Sequence, residues 1–111
     1  MTVFSAYHAH VYYEEQTFAQ AEVLCNTASE RFNIAMGRMH KKNVGPHPKW
    51  SCQLAFSQRQ FSEFIPWLMK ESQGLTILIH PISDDHLKDH RDYPMWIGKS
   101  EILDLSLFEK D

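Results

Sequence analysis

Glycine and cysteine are both scarce in this chain, with four glycines and two cysteines in 111 residues. So little glycine, with no repeat, excludes a collagen-like or low-complexity chain. Cys25 and Cys52 lie far apart and neither belongs to a C-x-x-C pair, which argues against a disulfide framework, a zinc knuckle and a thioredoxin-like redox motif. Both are expected to be reduced, buried thiols acting as small hydrophobes. No apolar run approaches the roughly 20 residues that cross a bilayer, and no charged segment followed by an apolar one opens the chain. A membrane is therefore not an expected partner, and the cytoplasm is the expected location. Positive charge is thin as well: 11 Lys plus Arg stand against 14 Asp plus Glu, for a net charge of -3. Lys41, Lys42 and Lys49 gather around one loop without forming a stripe, so nucleic acid is set aside as a partner.

What is present is an ordinary globular composition, 43% hydrophobic and 23% charged, which suits one compact core and hence a single domain over residues 1–111. Tyr7, Ala9, Val11 and Tyr13 alternate with His8, His10 and Tyr12, a period of two that predicts a strand with one apolar and one functionalised face. Thr17-x-x-Gln20 offers a capping box, and Phe18, Ala21, Cys25, Ala28 and Phe32 recur at helical spacing to about residue 32. A weaker strand is expected over 34–40, with its parity open, followed by a loop, "KKNVGPHP", at 41–48. From Trp50 to Phe56 the alternation returns, with Ser51, Gln53 and Ala55 on the polar side. Ser57-x-x-Gln60, flanked by Phe56 and Phe61 at hydrophobic-staple spacing, starts a second helix whose stripe is Phe61, Phe64, Ile65 and Leu68. Pro66 is expected to kink that helix and Gly74 to stop it. Leu75, Ile77 and Ile79 then alternate with Thr76, Leu78 and His80 in a fourth strand that Pro81 ends.

Strand, helix, strand, strand, helix, strand is the α+β, ferredoxin-like βαββαβ order: an antiparallel sheet with two helices on one face and a C-terminal extension. With strands in the order fourth, first, third, second, the helices must cover Ala9, Val11, Cys52, Leu54, Phe56, Ile77 and Ile79. The bare face then collects His8, His10, Tyr12, Ser51, Gln53, Thr76 and His80, and the end of the fourth strand brings His80 beside His8. Residues 81–111 make a tail or lid. In it Leu103, Leu105 and Leu107 alternate with Asp104 and Ser106, as for one more strand, added to this sheet or to a second copy in a homodimer.

Histidine is the commonest transition-metal ligand and titrates near neutrality, so three imidazoles meeting in a pocket point to metal binding or proton transfer. His86 and His90 share i, i+4 spacing, although a solvated acidic loop is the preferred reading for His86. His47 sits between two prolines in a loop able to swing over the sheet, and His40 has no evident partner. Asp85, Asp89 and Glu14 are possible carboxylate ligands, while Trp50, Tyr93 and Trp96 could stack on an aromatic substrate.

Four segments in order, "HAHVYY" at 8–13, "GPHPKWSCQLAF" at 45–56, "LIHP" at 78–81 and "DDHLKDHRDYPMWIG" at 84–98, resemble the DOPA 4,5-dioxygenase family over nearly the whole chain. The resemblance implies a ferredoxin-like fold and extradiol cleavage by dioxygen of a catechol such as L-DOPA, with non-haem Fe(II) held by two histidines and a carboxylate. Carried onto this sequence, it implies His8, His10 and His80 around the metal. His47 or His90 would then act as acid/base or substrate contact. From the bare face and the tail, Tyr12, Ser51, Gln53 and Trp96 are the residues expected at the substrate. No Asp or Glu is an evident third ligand, so an all-histidine site stays open. Two further readings stay open too: a non-catalytic small-molecule or metal-sensing domain, and a cofactor-free or zinc hydrolase using the same cluster.

Overall fold

In a computed structural model that describes residues 3–109, five strands run at Ala6–Tyr13 (β1), Ala35–Met36 (β2), Trp50–Ser57 (β3), Ile77–Pro81 (β4) and Met95–Ile97 (β5). Helices lie at Phe18–Phe32 (α1), Gln58–Glu71 (α2) and His86–Arg91 (α3). The expected span of 1–111 extends at both ends beyond the described residues. The strands pair in the order β2-β3-β1-β4-β5, all antiparallel. The first four strands follow the ferredoxin-like order, β4-β1-β3-β2, and β5 adds an edge outside β4.

The alternation of β1, β3 and β4 decides what the helices cover. Ala9, Val11, Cys52, Leu54, Phe56, Ile77 and Ile79 pack beneath α1 and α2 against Ala21, Leu24, Cys25, Ala28, Phe64, Ile65 and Leu68. Each large side chain fully buried there contributes about 1.5–3 kcal/mol. Cys25 and Cys52 are buried free thiols in that layer. Helix α2 begins as its sequence predicts: Gln60 Oε1 accepts the Ser57 backbone N–H at 3.0 Å, and the Phe56 and Phe61 rings are 6.2 Å apart. The helix runs through Pro66 to Glu71, and Gly74, at φ +91°, takes the left-handed turn that reverses the chain into β4.

Three expectations fail for local reasons. Helix α1 starts at Phe18 behind Thr17, as expected, but the capping box lies one turn early: the Glu14 N–H donates to Thr17 Oγ1 at 2.9 Å ahead of a single 3-10 turn, and Thr17 makes no side-chain cap on α1. Gln20 instead reaches across to the carbonyl of Gln73 at 3.0 Å. The second strand shrinks to two residues because the chain bulges against β3. Gly37 N–H bonds to Gln53 and His40 N–H to Ser51, so three steps on one side match two on the other. The tail strand at Leu103, Leu105 and Leu107 is absent, and the added strand is Met95–Ile97, paired with Ile79, Leu78 and Ile77. Asp104 is the cause: its Oδ1 accepts from Ser106 N at 3.1 Å and Ser106 Oγ at 2.6 Å, curling the segment into a 3-10 turn at Ser106–Phe108.

Candidate metal centre

Opposite the helices, the period of two turns His8, His10 and Tyr12 of β1 to the same side as Ser51, Gln53 and Ala55 of β3 and Leu78 and His80 of β4. The register sets His8 directly across from His80, and His10 across from Gln53. The ring centroids of His8, His10 and His80 are 5.0–5.7 Å apart, and one ligating nitrogen from each lies within 4.8 Å of the others. The closest approach is His10 Nε2 to His80 Nε2, at 3.0 Å. His80 donates Nδ1–H to its neighbour's carbonyl, Pro81 O, at 2.8 Å, which leaves Nε2 as an acceptor facing the cluster, for the His10 Nε2–H or for a metal in its place.

Burial keeps these rings neutral. It lowers His80 to about 4, aided by the nearby imidazoles and opposed by the Pro81 carbonyl. It lowers His10 well below the ordinary value, reinforced by His47 and His80, and lowers His8 too, with His90 adding to the effect. Three neutral imidazoles whose ring nitrogens converge are a donor set that a divalent transition metal takes, once it displaces the proton shared between His10 and His80, so the residues fit the ion the resemblance implies. Among the described residues no carboxylate joins them. Asp89 is buried, yet its Oδ2 accepts from Ser83 N at 2.9 Å and its Oδ1 from Ser83 Oγ at 2.6 Å. Asp85 caps α3 by accepting Lys88 N–H at 3.0 Å, and Glu14 lies 3.6 Å from Lys49.

Two more histidines flank the cluster. Gly45 (φ +55°) and the His47 N–H to Val44 O bond fold the proline-bounded loop back over the sheet. His47 is thereby buried with its ring centroid 4.1 Å from that of His10. Its Nδ1 is 2.7 Å from the Tyr12 hydroxyl, whose proton is held by burial and by the charge of Glu101. Burial, with help from His90 and His80, lowers His47 to about 4. From the other side α3 presents His90, 4.1 Å from His80 between centroids, which donates Nδ1–H to His86 O at 2.7 Å. Phe108 of the tail stacks on His90 at 4.4 Å, and Asp104 N–H bonds Pro46 O at 2.9 Å, so the tail ties both flanks together.

The five rings line an open cavity of about 210 Å³ that also touches Gln53, Ile82, Asp89 and the exposed His86. Ser51 lies outside it, in an adjoining chamber with His40. Tyr12 is buried behind His47, and Trp96 is edge-on to Tyr12 at 6.0 Å, away from the cavity. Trp50 packs near Tyr13 and Tyr93 near Phe4, also away from it. Sequence reasoning missed Phe108 and Pro46. The apolar alternation around Phe108 read as a strand, and only the Asp104–x–Ser106 pattern signalled a turn.

Comparison with known proteins supplies a family. The Dopa 4,5-dioxygenase family profile matches residues 7–107. A crystal structure from Nostoc punctiforme described as a candidate dioxygenase superposes with a TM-score of 0.90 at 37% identity, over 93% of this chain and 90% of that one. An uncharacterised 21.2 kDa protein of Botryotinia fuckeliana is 29% identical over 95% of this chain, and DOPA 4,5-dioxygenase of Amanita muscaria is 28% identical over 90%. The chain spans 64% and 48% of the lengths of these two relatives. With the profile running from β1 to the tail, and with a solved relative sharing the fold throughout, the chain belongs to the Dopa 4,5-dioxygenase family.

Proposed function

We propose that this protein is an extradiol dioxygenase that opens a catechol ring, with Fe(II) held by His8, His10 and His80. The observation that carries the reading is the meeting of three neutral imidazoles within 4.8 Å on the sheet face the helices leave free. The name of the Amanita muscaria relative, DOPA 4,5-dioxygenase, supports the same chemistry. Extradiol cleavage puts both oxygen atoms into the ring-opened product, so one dioxygen is consumed per catechol and no external reductant is required. A bound redox-active metal supplies the means for dioxygen to react with a closed-shell catechol.

The chain's own groups handle protons and position. In the neutral tautomer whose Nδ1–H donates to the Tyr12 hydroxyl oxygen, His47 has its Nε2 lone pair left to accept the proton of a catechol hydroxyl. His90, with Nδ1 engaged by His86 O, has its own Nε2 left for the substrate or ring-opened product. Pro46 and Ile82 give the cavity an apolar wall beside these groups.

One observation favours a second reading: an all-histidine donor set suits zinc as well as iron. A zinc hydrolase or a ligand-sensing domain would hold the metal without consuming oxygen. Anaerobic loading with Fe(II), followed by catechols including L-DOPA in air, separates these readings. Oxygen uptake stoichiometric with a yellow ring-opened product is expected. Metal binding with no uptake on any catechol would overturn the dioxygenase reading.

A further inference from the structure

Asp89 is a charge that the fold has no evident need to bury. It is 1% exposed, beside His90 in α3, and both of its oxygens go to one residue: Oδ2 accepts the Ser83 backbone N–H at 2.9 Å and Oδ1 accepts the Ser83 hydroxyl at 2.6 Å. Among the described residues it enters no ion pair. A buried carboxylate without a counter-charge is costly, and two neutral donors offset that cost only in part. If the role were only to fasten α3 to Ser83, an amide would serve as well, its oxygen accepting the Ser83 N–H and its NH2 group donating to Ser83 Oγ. The negative charge itself is what the local structure leaves without a purpose.

That charge faces the histidine cluster. Asp89 lines the same cavity as His8, His10 and His80, and no other Asp, Glu, Lys or Arg is among the residues lining it. It works against burial at His80 and His90, favouring the protonated form of both rings. Three neutral imidazoles bring no negative charge to a divalent ion, whose full charge would then sit in a largely buried site. We propose that Asp89 is the counter-charge of the metal, acting across the cavity wall without ligating it, and that it sets the preference of the site for cations over anions. The proposal rests on the reading of His8, His10 and His80 as metal ligands. A fixed negative charge at this remove draws the cation in and moderates the pull of the loaded site on an anion that binds at an open position of the metal.

The test is Asp89→Asn, which removes the charge while allowing both bonds to Ser83. Co(II) serves as the metal, since its visible absorption reports occupancy and ligand exchange, and azide serves as the anion. Co(II) affinity, measured against a competing chelator, is expected to fall about 10–100-fold. Azide binding at saturating Co(II) is expected to tighten several-fold. The opposite signs are the signature of a lost charge, because a distorted site would bind both more weakly. Unchanged Co(II) affinity, or azide weakened along with the metal, would overturn the proposal. Ser83→Ala gives up one hydrogen bond and retains the charge, so it decides the matter even where Asp89→Asn does not fold. Its Co(II) affinity should stay within about two-fold of the unaltered protein, and a loss of about ten-fold or more would make the Ser83–Asp89 pair a structural fastening and overturn the proposal. Oxygen uptake plays no part, so failure here leaves the dioxygenase reading standing, whereas no Co(II) binding by the unaltered protein would overturn both.

Discussion

The two faces of this sheet are made by the same strands, and they are held in opposite ways. Under the helices, Leu54, Ile77, Phe64 and Leu68 are closed off entirely and interlock through shape. On the far side, around Leu78, the buried groups are imidazoles, a phenol and a hydroxyl, capped by the 41–49 loop, α3 and the tail. The first face stabilises the fold by removing apolar area from water. The second spends stability, since keeping His10, His47 and His80 neutral and buried is costly unless something binds them. A chain that tolerates such a cluster on a central strand is organised around what the cluster holds.

The sharpest way to break this contrast is one substitution on each face. His8 is half-buried and its ring has no hydrogen-bond partner among the described residues, so His8→Ala costs the fold little while removing a ligand. Metal content is expected to fall from about one per chain to near zero, and oxygen uptake by roughly 100-fold or more. Elemental analysis of purified protein reads the first directly. Unchanged occupancy would move the site toward His86 and His90. Phe64→Ala should do the reverse, lowering unfolding free energy by about 3–5 kcal/mol in denaturant titration, with metal per folded chain unaltered.

Acid separates the faces without mutation. An unfolded histidine titrates near 6.5, whereas His47 and His80 are held at about 4 in the fold, so between these values the unfolded chain binds more protons than the native one. Stability of the metal-free protein is therefore full above pH ~6.5 and is lost as the pH falls toward 4. Each displacement is worth about 3 kcal/mol, and the pair less than twice that because the rings depress one another. A flat stability profile from pH 7 to 4.5 would contradict the burial described here. Saturating metal should move the loss to lower pH, since it binds only the neutral rings.

The contrast also explains what could be read from sequence. The helical face was legible because apolar alternation in Tyr7–Tyr13 and Trp50–Phe56 and the Ser57–Gln60 box are local signals, and strand order followed from connection lengths. The meeting of His8, His10 and His80 was legible for the same reason, as parity plus topology fixes it. The cap over that face was not. Phe108 on His90, Asp104 on Pro46 and β5 along β4 are contacts between segments far apart in sequence, and no periodicity encodes them. The bulge after Met36 hid in the same way, because one extra residue on one strand leaves no mark on composition.

Tyr12 backs the histidine face from behind His47, and it offers the smallest and most discriminating effect. Its ring is 2% exposed and absent from the cavity wall, and its hydroxyl reaches the site only through Nδ1 of His47. Its place on the bare face of the sheet predicts a substrate contact, whereas this geometry makes Tyr12 a positioning residue. The two roles diverge in steady-state kinetics. Tyr12→Phe removes one hydrogen bond, about 1 kcal/mol of stability, and loosens the ring that accepts the substrate's proton. It should lower kcat for catechol oxidation several-fold while KM stays within about two-fold, because a group that does not touch substrate contributes to the proton transfer and not to binding. A rise in KM with kcat preserved would instead put the phenol against the catechol, and would require the 41–49 loop to lift away from the sheet when substrate enters.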